Sequence, residues 1–333
     1  MRKPAILAVL LAATLVIAAC GGGSGTGSDT KAVTLTLNWY PYGEHAPFYY
    51  GVEQGIFAKH GIDLKIQAGQ GSGKTVQATA AGQTDFGWAD TSALAVAVEQ
   101  GVAVKSVGVF LQTTPASVQF FQDKNITKPQ DLKGRKVATT AGDALTKTFP
   151  AFLKQNGMAE TDVEIQNIDP AGKMAAVLSG RVDILLGFAS DQGPTIQEKA
   201  GKPVSYLRFS EFGLNYYSNG LVTSGSTLTK DPDLVKRMVA ATAEAWSAAE
   251  KDPQAAVDTM KGASQQLPSP AVLLEQFKTT VTLLHTDATK GSGPGVNSAA
   301  DWKATIDTFL RTGVITKARE PGVYWEESVA PKR

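Results

Sequence analysis

The 333-residue chain holds one cysteine and three histidines. A single thiol excludes an internal disulfide and any cysteine-built metal site. The histidines (His45, His60 and His285) are too scattered to suggest a metal centre, so none is expected. An excess of one charge is also missing. Lys and Arg number 32 against 31 Asp and Glu, with no basic run, which removes the electrostatic case for nucleic acid. The one long apolar run, Ala5 to Ala19, is too short to span a bilayer. The motifs G-x-S-x-G, H-E-x-x-H and paired cysteines do not occur, so an enzyme here would rest on unmarked carboxylates. No pattern calls for a cofactor.

What is present starts at the N-terminus. Arg2 and Lys3, the apolar run and the small residues after it read as a secretory signal peptide over 1–19. Ile17-Ala18-Ala19-Cys20 resembles the bacterial lipobox, in which the cysteine takes a lipid; an ordinary signal peptide with a chance cysteine is the alternative. Residues 20–32 then form a lipid anchor and a Gly/Ser tether, which such a composition leaves coil-like. The protein is expected outside the cytoplasm, facing periplasm or cell exterior, held to the membrane through lipidated Cys20. Losing Arg2 and Lys3 leaves 30 basic and 31 acidic residues, a net charge near −1. With 43% apolar and 19% charged residues, the remainder can bury a sizeable core. Roughly 300 residues suit two domains or one domain of two lobes.

Strands and helices alternate along the chain. Val33 to Trp39 alternates apolar and polar residues at period two, and Phe48, Val52 and Ile56 then recur at helical spacing. "IDLKI", "DFGWA" and "AVKSVGVFL" read as strands, with "TVQATAA" and "SALAVAVEQ" as helices between them. A second series starts near Asp131, where Leu145, Phe149, Phe152 and Leu153 line a helix that Gly157 stops. This alternation indicates parallel α/β units. Beyond Asp231 the pattern is helical, with Val235, Met238, Val239, Thr242 and Trp246 on one face.

Two stretches look alike. Gly73-Lys74, a short helix ending at Gly82, then Asp85-Phe86-Gly87 and Asp90 parallel Gly172-Lys173, a helix ending at Gly180, then Asp183-Ile184 and Asp191. The likeness suggests two related lobes facing each other. "GQGSGKT" falls short of a phosphate loop, because the first glycine of G-x-x-x-x-G-K-[ST] would sit at Ala68. It reads instead as a strand-to-helix loop at Gly71, Ser72 and Gly73, whose N–H groups face a cleft opposite "DPAGKM". A plain glycine-rich connection with Lys74 solvated is the alternative. Ligands of open α/β sheets bind beyond the carboxyl ends of strands. That rule selects Asn38, Trp39 and Tyr40 after the first strand, Trp88 and Asp90 after the third, and Phe188 and Asp191 in the second lobe. Asp90 can equally be a helix N-cap, Trp39 a core residue, and Asp143 a cap.

"LNWYPYGEHAPFYYGVEQGIFAKHGIDLKI", "GSGKTVQATAAGQTDFGWAD" and "DLKGRKVAT" together resemble substrate-binding proteins of ABC importers. The branch is the one that captures thiamine pyrimidine precursors, allied to the nitrate, sulfonate and taurine binders. The resemblance covers about Val33 to Ser224. It implies a type II periplasmic-binding-protein fold: two α/β lobes, each a mostly parallel sheet flanked by helices, joined by two crossings. Lobe one would span 33–113 plus 223–333, and lobe two 114–222. It implies a monomeric receptor that closes on a small planar heterocycle and delivers it to an ABC permease. A sulfonate, taurine, nitrate or a riboflavin-like ring are alternative solutes. Trp39 would stack on the ring. His45, of the Glu44-His45 pair, would donate to the solute or cap a helix. Glu211 and Tyr216 would supply the acidic and aromatic contacts such relatives use near the second crossing. Fungal relatives that synthesise the pyrimidine depend on a cysteine-rich segment absent here, so no enzyme is expected.

Overall fold

A computed structural model describes residues 30–332. The signal peptide, Cys20 and most of the tether lie outside the described residues. Ten strands are formed: β1 Lys31–Thr36, β2 Ile62–Gln67, β3 Phe86–Asp90, β4 Val104–Val109, β5 Ala116–Phe121, β6 Lys136–Thr139, β7 Glu164–Asn167, β8 Ile184–Phe188, β9 Val204–Arg208 and β10 Asn219–Ser224. The first begins two residues before the expected Val33. They make two mixed five-stranded sheets, ordered β2-β1-β3-β10-β4 and β7-β6-β8-β5-β9. In each sheet one strand runs against its neighbours: β10 against β3 and β4, β5 against β8 and β9. Each reversed strand is the first to enter its sheet after the chain crosses between lobes. The two orders match position for position, so the internal likeness read from the two Gly-Lys segments has its counterpart in topology.

The crossings run through residues 110–115 and 209–218. The expected boundary at 222 falls inside β10, which is hydrogen-bonded into the first sheet from Asn219 onward. Burial follows strand position. Val33 and Leu35 of β1 are buried while Thr34 and Thr36 are not, whereas β3 and β8 are buried at every residue, as strands covered on both faces must be.

Lobe one packs its sheet under the helix Pro232–Lys251, whose Trp246 stacks on Trp88 at 5.6 Å and 21°. Phe48 meets Trp88 edge-on at 5.0 Å. Val52 departs from the expected helical face. The helix Ala46–Glu53 stops before Gly55, whose φ of 67° suits glycine, and Val52 stays 43% exposed. Lobe two buries Leu145, Phe149, Phe152 and Leu153 of the helix Leu145–Gln155, with Phe152 stacked on Phe209 at 4.3 Å. One C-terminal helix also reaches across to lobe two. Phe309 of the helix Ala299–Thr312 lies 5.0 Å from Tyr216, and Arg311 bonds Gln155 of the lobe-two helix. No helix among the described residues is long and apolar enough to cross a membrane.

Candidate functional site

Between the lobes, where strands of both sheets end, lies a cavity of about 330 Å3 counted out to its open mouth. From lobe one, Asn38, Trp39 and Tyr42 line it after β1, and Gly71 and Ser72 at the helix start after β2. From lobe two come Asp143 and Lys173, then Phe188 at the end of β8 and Asp191 and Gln192 after it.

The lobes meet directly at the glycine loop. Gly73 donates its N–H to the carbonyl oxygen of Gly142 at 3.1 Å. Gly71 has φ of 126°, and a Cβ there would fall 2.6 Å from the same oxygen. The loop needs glycine because a second backbone crosses it, and the N–H of Gly73 is spent on that backbone. Lys74 is exposed and reaches only Gln70, at 3.3 Å. Its lobe-two counterpart behaves differently. Lys173 is buried, 3.3 Å from Asp143 Oδ2, with its Nζ 5.4 Å from the centroid of the Trp39 ring. This cation–π contact joins one lobe to the other. Asp143 also accepts from the N–H of Leu145 at 2.9 Å, so it caps a helix and lines the cavity at once.

Two buried groups hold Asn38 in place. The Tyr42 N–H donates to His45 Nδ1 at 3.3 Å, so the ring proton sits on Nε2 and donates to Asn38 Oδ1 at 2.8 Å. Burial lowers the His45 pKa to about 3, and the ring stays neutral. His45 makes no side-chain cap; it fixes the Asn38 amide with its NH2 end toward Tyr42. Glu44, fully buried, accepts from Tyr42 Oη at 2.5 Å, Trp88 Nε1 at 2.6 Å and Asn219 Nδ2 at 2.5 Å. Burial nevertheless raises its pKa above the ordinary carboxylate value. Asp191 is pushed up to about 8, first by burial, with Lys173 opposing and Glu44 adding to the rise. Its carboxyl is therefore protonated near neutral pH and can both donate and accept.

Asn38, Trp39, Gly71, Ser72, Phe188 and Asp191, all selected from sequence, line the cavity. Tyr40 and Gly73 stand in flanking pockets, and His45 lies behind the wall. Trp88, Asp90, Tyr216 and Glu211 are elsewhere. Trp88 is sealed in the lobe-one core against Trp246. Asp90 is the N-cap of the helix Thr91–Glu99, accepting from Ser92 N–H at 2.9 Å and from Ser218 Oγ at 2.5 Å. Tyr216 packs on Phe309, and Glu211 is exposed, 3.9 Å from Arg208. Tyr42, Asp143, Ala144, Leu145, Lys173, Gly187 and Gln192 complete the lining without having been selected. Lys173 could have been found by giving the second Gly-Lys segment the weight given to the first. Among the described residues, no group of three or more His, Cys, Asp or Glu is placed to hold a metal ion.

The family model described as NMT1/THI5 like matches residues 43–256. The riboflavin-binding protein RibY of Chloroflexus aurantiacus is 26% identical over 234 residues, 68% of this chain and 65% of that one, so the chain spans less than two thirds of that relative. The formylaminopyrimidine-binding protein of Halalkalibacterium halodurans is 24% identical over 243 residues, 69% of this chain and 70% of the relative. A 4-amino-5-hydroxymethyl-2-methylpyrimidine phosphate synthase of Legionella pneumophila is 25% identical over 242 residues, 72% and 75% of the two chains. In structure, the periplasmic aliphatic sulphonate binding protein SsuA of Escherichia coli superposes with a TM-score of 0.67 at 15% identity, covering 89% of this chain and 92% of that one. That likeness is one of fold, the two-lobed fold of periplasmic binding proteins.

Proposed function

The chain belongs to the NMT1/THI5-like family, and from that premise we propose that it is an extracytoplasmic, lipid-anchored solute receptor of an ABC importer. It captures a small planar nitrogen heterocycle, of the thiamine-pyrimidine-precursor kind, by closing two lobes over it. The observation that carries this reading is the pairing across the cavity of Trp39 from lobe one with Asp191 from lobe two. Trp39 offers an aromatic face beside the cavity, suited to stacking. A protonated Asp191 donates to a ring nitrogen and accepts from a neighbouring amino group, two hydrogen bonds that a ring with that edge satisfies together. Asn38, held by His45, adds a fixed amide. Sulfonate, taurine and nitrate fit less well. Lys173 is the one cation lining the cavity and is already paired with Asp143, and no arginine fork is present for an oxyanion.

The solute's binding contacts differ between open and closed lobes, and that difference drives closure. Turnover is not part of this reading, although one relative is named a synthase. The cysteine-rich segment on which the fungal relatives depend has no counterpart in a chain with one cysteine. The reading is tested by calorimetric titration with 4-amino-5-hydroxymethyl-2-methylpyrimidine, its formylamino analogue, riboflavin, taurine and an alkanesulfonate. A heterocycle should bind at micromolar concentration or below and be recovered chemically unaltered. Binding of taurine or the sulfonate alone, or conversion of the ring, would refute it.

A further inference from the structure

Gln276 sits in the helix Pro270–Val281 with its side chain fully buried. Leu273 and Phe277 anchor that helix in the lobe-one core, where the Phe277 ring lies 6.1 Å from that of Trp246. The Gln276 amide nevertheless reaches both lobes. Its Oε1 accepts from the Gly43 N–H at 2.9 Å. Its Nε2 donates to the Asp191 carbonyl oxygen at 2.6 Å and, at 3.4 Å, to Thr195 Oγ1. An N–H can only donate and a carbonyl oxygen can only accept, so these partners leave the amide one orientation.

Both ends of this bridge bear on the site. Gly43 opens the turn Gly43–His45, between Tyr42, which lines the cavity, and His45, which holds Asn38. The turn lies tight on the helix. A Cβ at Gly43 would fall 2.6 Å from Gln276 Cβ and 2.3 Å from the Leu273 carbonyl oxygen. Asp191 lines the cavity from lobe two. Its N–H donates to the Phe188 carbonyl oxygen at 2.9 Å within its own lobe, while its carbonyl oxygen is held from lobe one by Gln276. The residue that presents the carboxyl is thus pinned from both lobes. Two other bonds between the lobes, Ser269 to Glu198 and Arg311 to Gln155, are exposed, and water competes for their partners.

We propose that Gln276 is a positioning residue of the solute site: an uncharged clamp that grips the Asp191 backbone when the lobes meet, so that closure and the placing of the Asp191 carboxyl are one event. The inference rests on the receptor reading above and deepens it. Parting the lobes breaks the Gln276–Asp191 bond, and water then serves both ends. A variant without the donor is therefore penalised in the closed state, where the Asp191 carbonyl oxygen loses its partner, and the penalty is read as faster solute release.

Stopped-flow association and dissociation of 4-amino-5-hydroxymethyl-2-methylpyrimidine, its formylamino analogue and riboflavin test the clamp. Whichever of them wild type binds should leave Gln276→Met at least about tenfold faster, with association within about threefold. Gln276→Glu, measured at pH 8, keeps an acceptor for the Gly43 N–H and should release the solute faster in the same way, which covers the case that Gln276→Met folds poorly. Phe277→Leu is the structural control. It loosens the same helix in the lobe-one core without touching Asp191, so it should melt lower yet release the solute within about twofold of wild type. Release within about twofold of wild type in both Gln276 variants would overturn the clamp while leaving the receptor intact. So would release from Phe277→Leu that quickens as much as from the Gln276 variants for the same fall in melting temperature. Failure of all three heterocycles to bind wild type would overturn the receptor reading itself, and this inference with it.

Discussion

Gly73 donates its backbone N–H to the carbonyl oxygen of Gly142 at 3.1 Å, and this bond joins lobe one to lobe two. A Cβ at Gly73 would sit 2.9 Å from that oxygen, yet Gly73 lies in a helix with ordinary backbone angles. Alanine favours the helix by up to about 1 kcal/mol while obstructing closure. Gly73→Ala should therefore leave ligand-free melting unchanged or slightly raised, weaken solute affinity several-fold, and reduce solute-induced compaction in small-angle scattering. Affinity and compaction equal to wild type would show that the lobes do not close on this contact.

The Asp143–Lys173 pair is buried on both sides, with side chains 6% and 2% exposed. Removing one partner strands a buried charge, at a cost of about 3–5 kcal/mol. Lys173→Met should lower stability by about that amount in urea unfolding, and Asp143→Asn with Lys173→Met should recover part of it. A single-variant loss below about 1 kcal/mol would mean that the pair is hydrated in solution.

Asp191 predicts a pH signature. Its folded pKa, about 8, lies above the unfolded carboxylate value. The stability it contributes is present below the unfolded pKa and is lost as pH rises through about 8. A solute that needs the protonated carboxyl should bind with constant affinity from about pH 6 to 7.5, then weaken toward tenfold per pH unit above 8. Asp191→Asn keeps a donor and an acceptor, so its binding should stay flat across the same range. Affinity that rises above pH 8 in wild type would mean that the ionised form binds.

His45 carries the opposite sign. Its folded pKa of about 3 lies below the unfolded value, so folding stability is lost as pH falls from about 6.5 toward 3. His45→Gln should flatten the acid limb of the melting temperature, and it should also weaken solute binding by releasing Asn38. An unchanged acid limb would place the acid sensitivity on another group.

Much of this site was legible because strand ends are legible. Period-two alternation from Val33 to Trp39 located β1, although the strand stops at Thr36, and the residues beyond it, Asn38 and Trp39, do face the cavity. Asp90 ends its strand and proved to be a cap, because its carboxylate is consumed locally by Ser92 and Ser218. Trp88 was not separable from Trp39 by sequence. What buries it is Trp246, 158 positions away, and no local pattern reports that pairing. Lys74 and Lys173 occupy like places in like segments, yet one is solvated and the other buried, since only lobe two sets an aspartate, Asp143, opposite the lysine. Val52 sat at helical spacing but stays exposed while Phe48 and Ile56 are buried, and Gly55 breaks the helix between Val52 and Ile56.

The central claim is that a planar heterocycle is held on Trp39 between the lobes. Trp39 is only partly buried, unlike Trp88 and Trp246. Its truncation should spare the core loss of ~3–5 kcal/mol that a buried aromatic would incur. Native mass spectrometry of the protein purified from its own cells, wild type beside Trp39→Ala, tests this most directly. The wild type should carry a bound planar nitrogen heterocycle that is absent or at least tenfold depleted in Trp39→Ala, with the two empty proteins melting within a few degrees of each other. A sulfonate, taurine or nitrate in the wild type, or a ring retained undiminished by Trp39→Ala, would contradict the account.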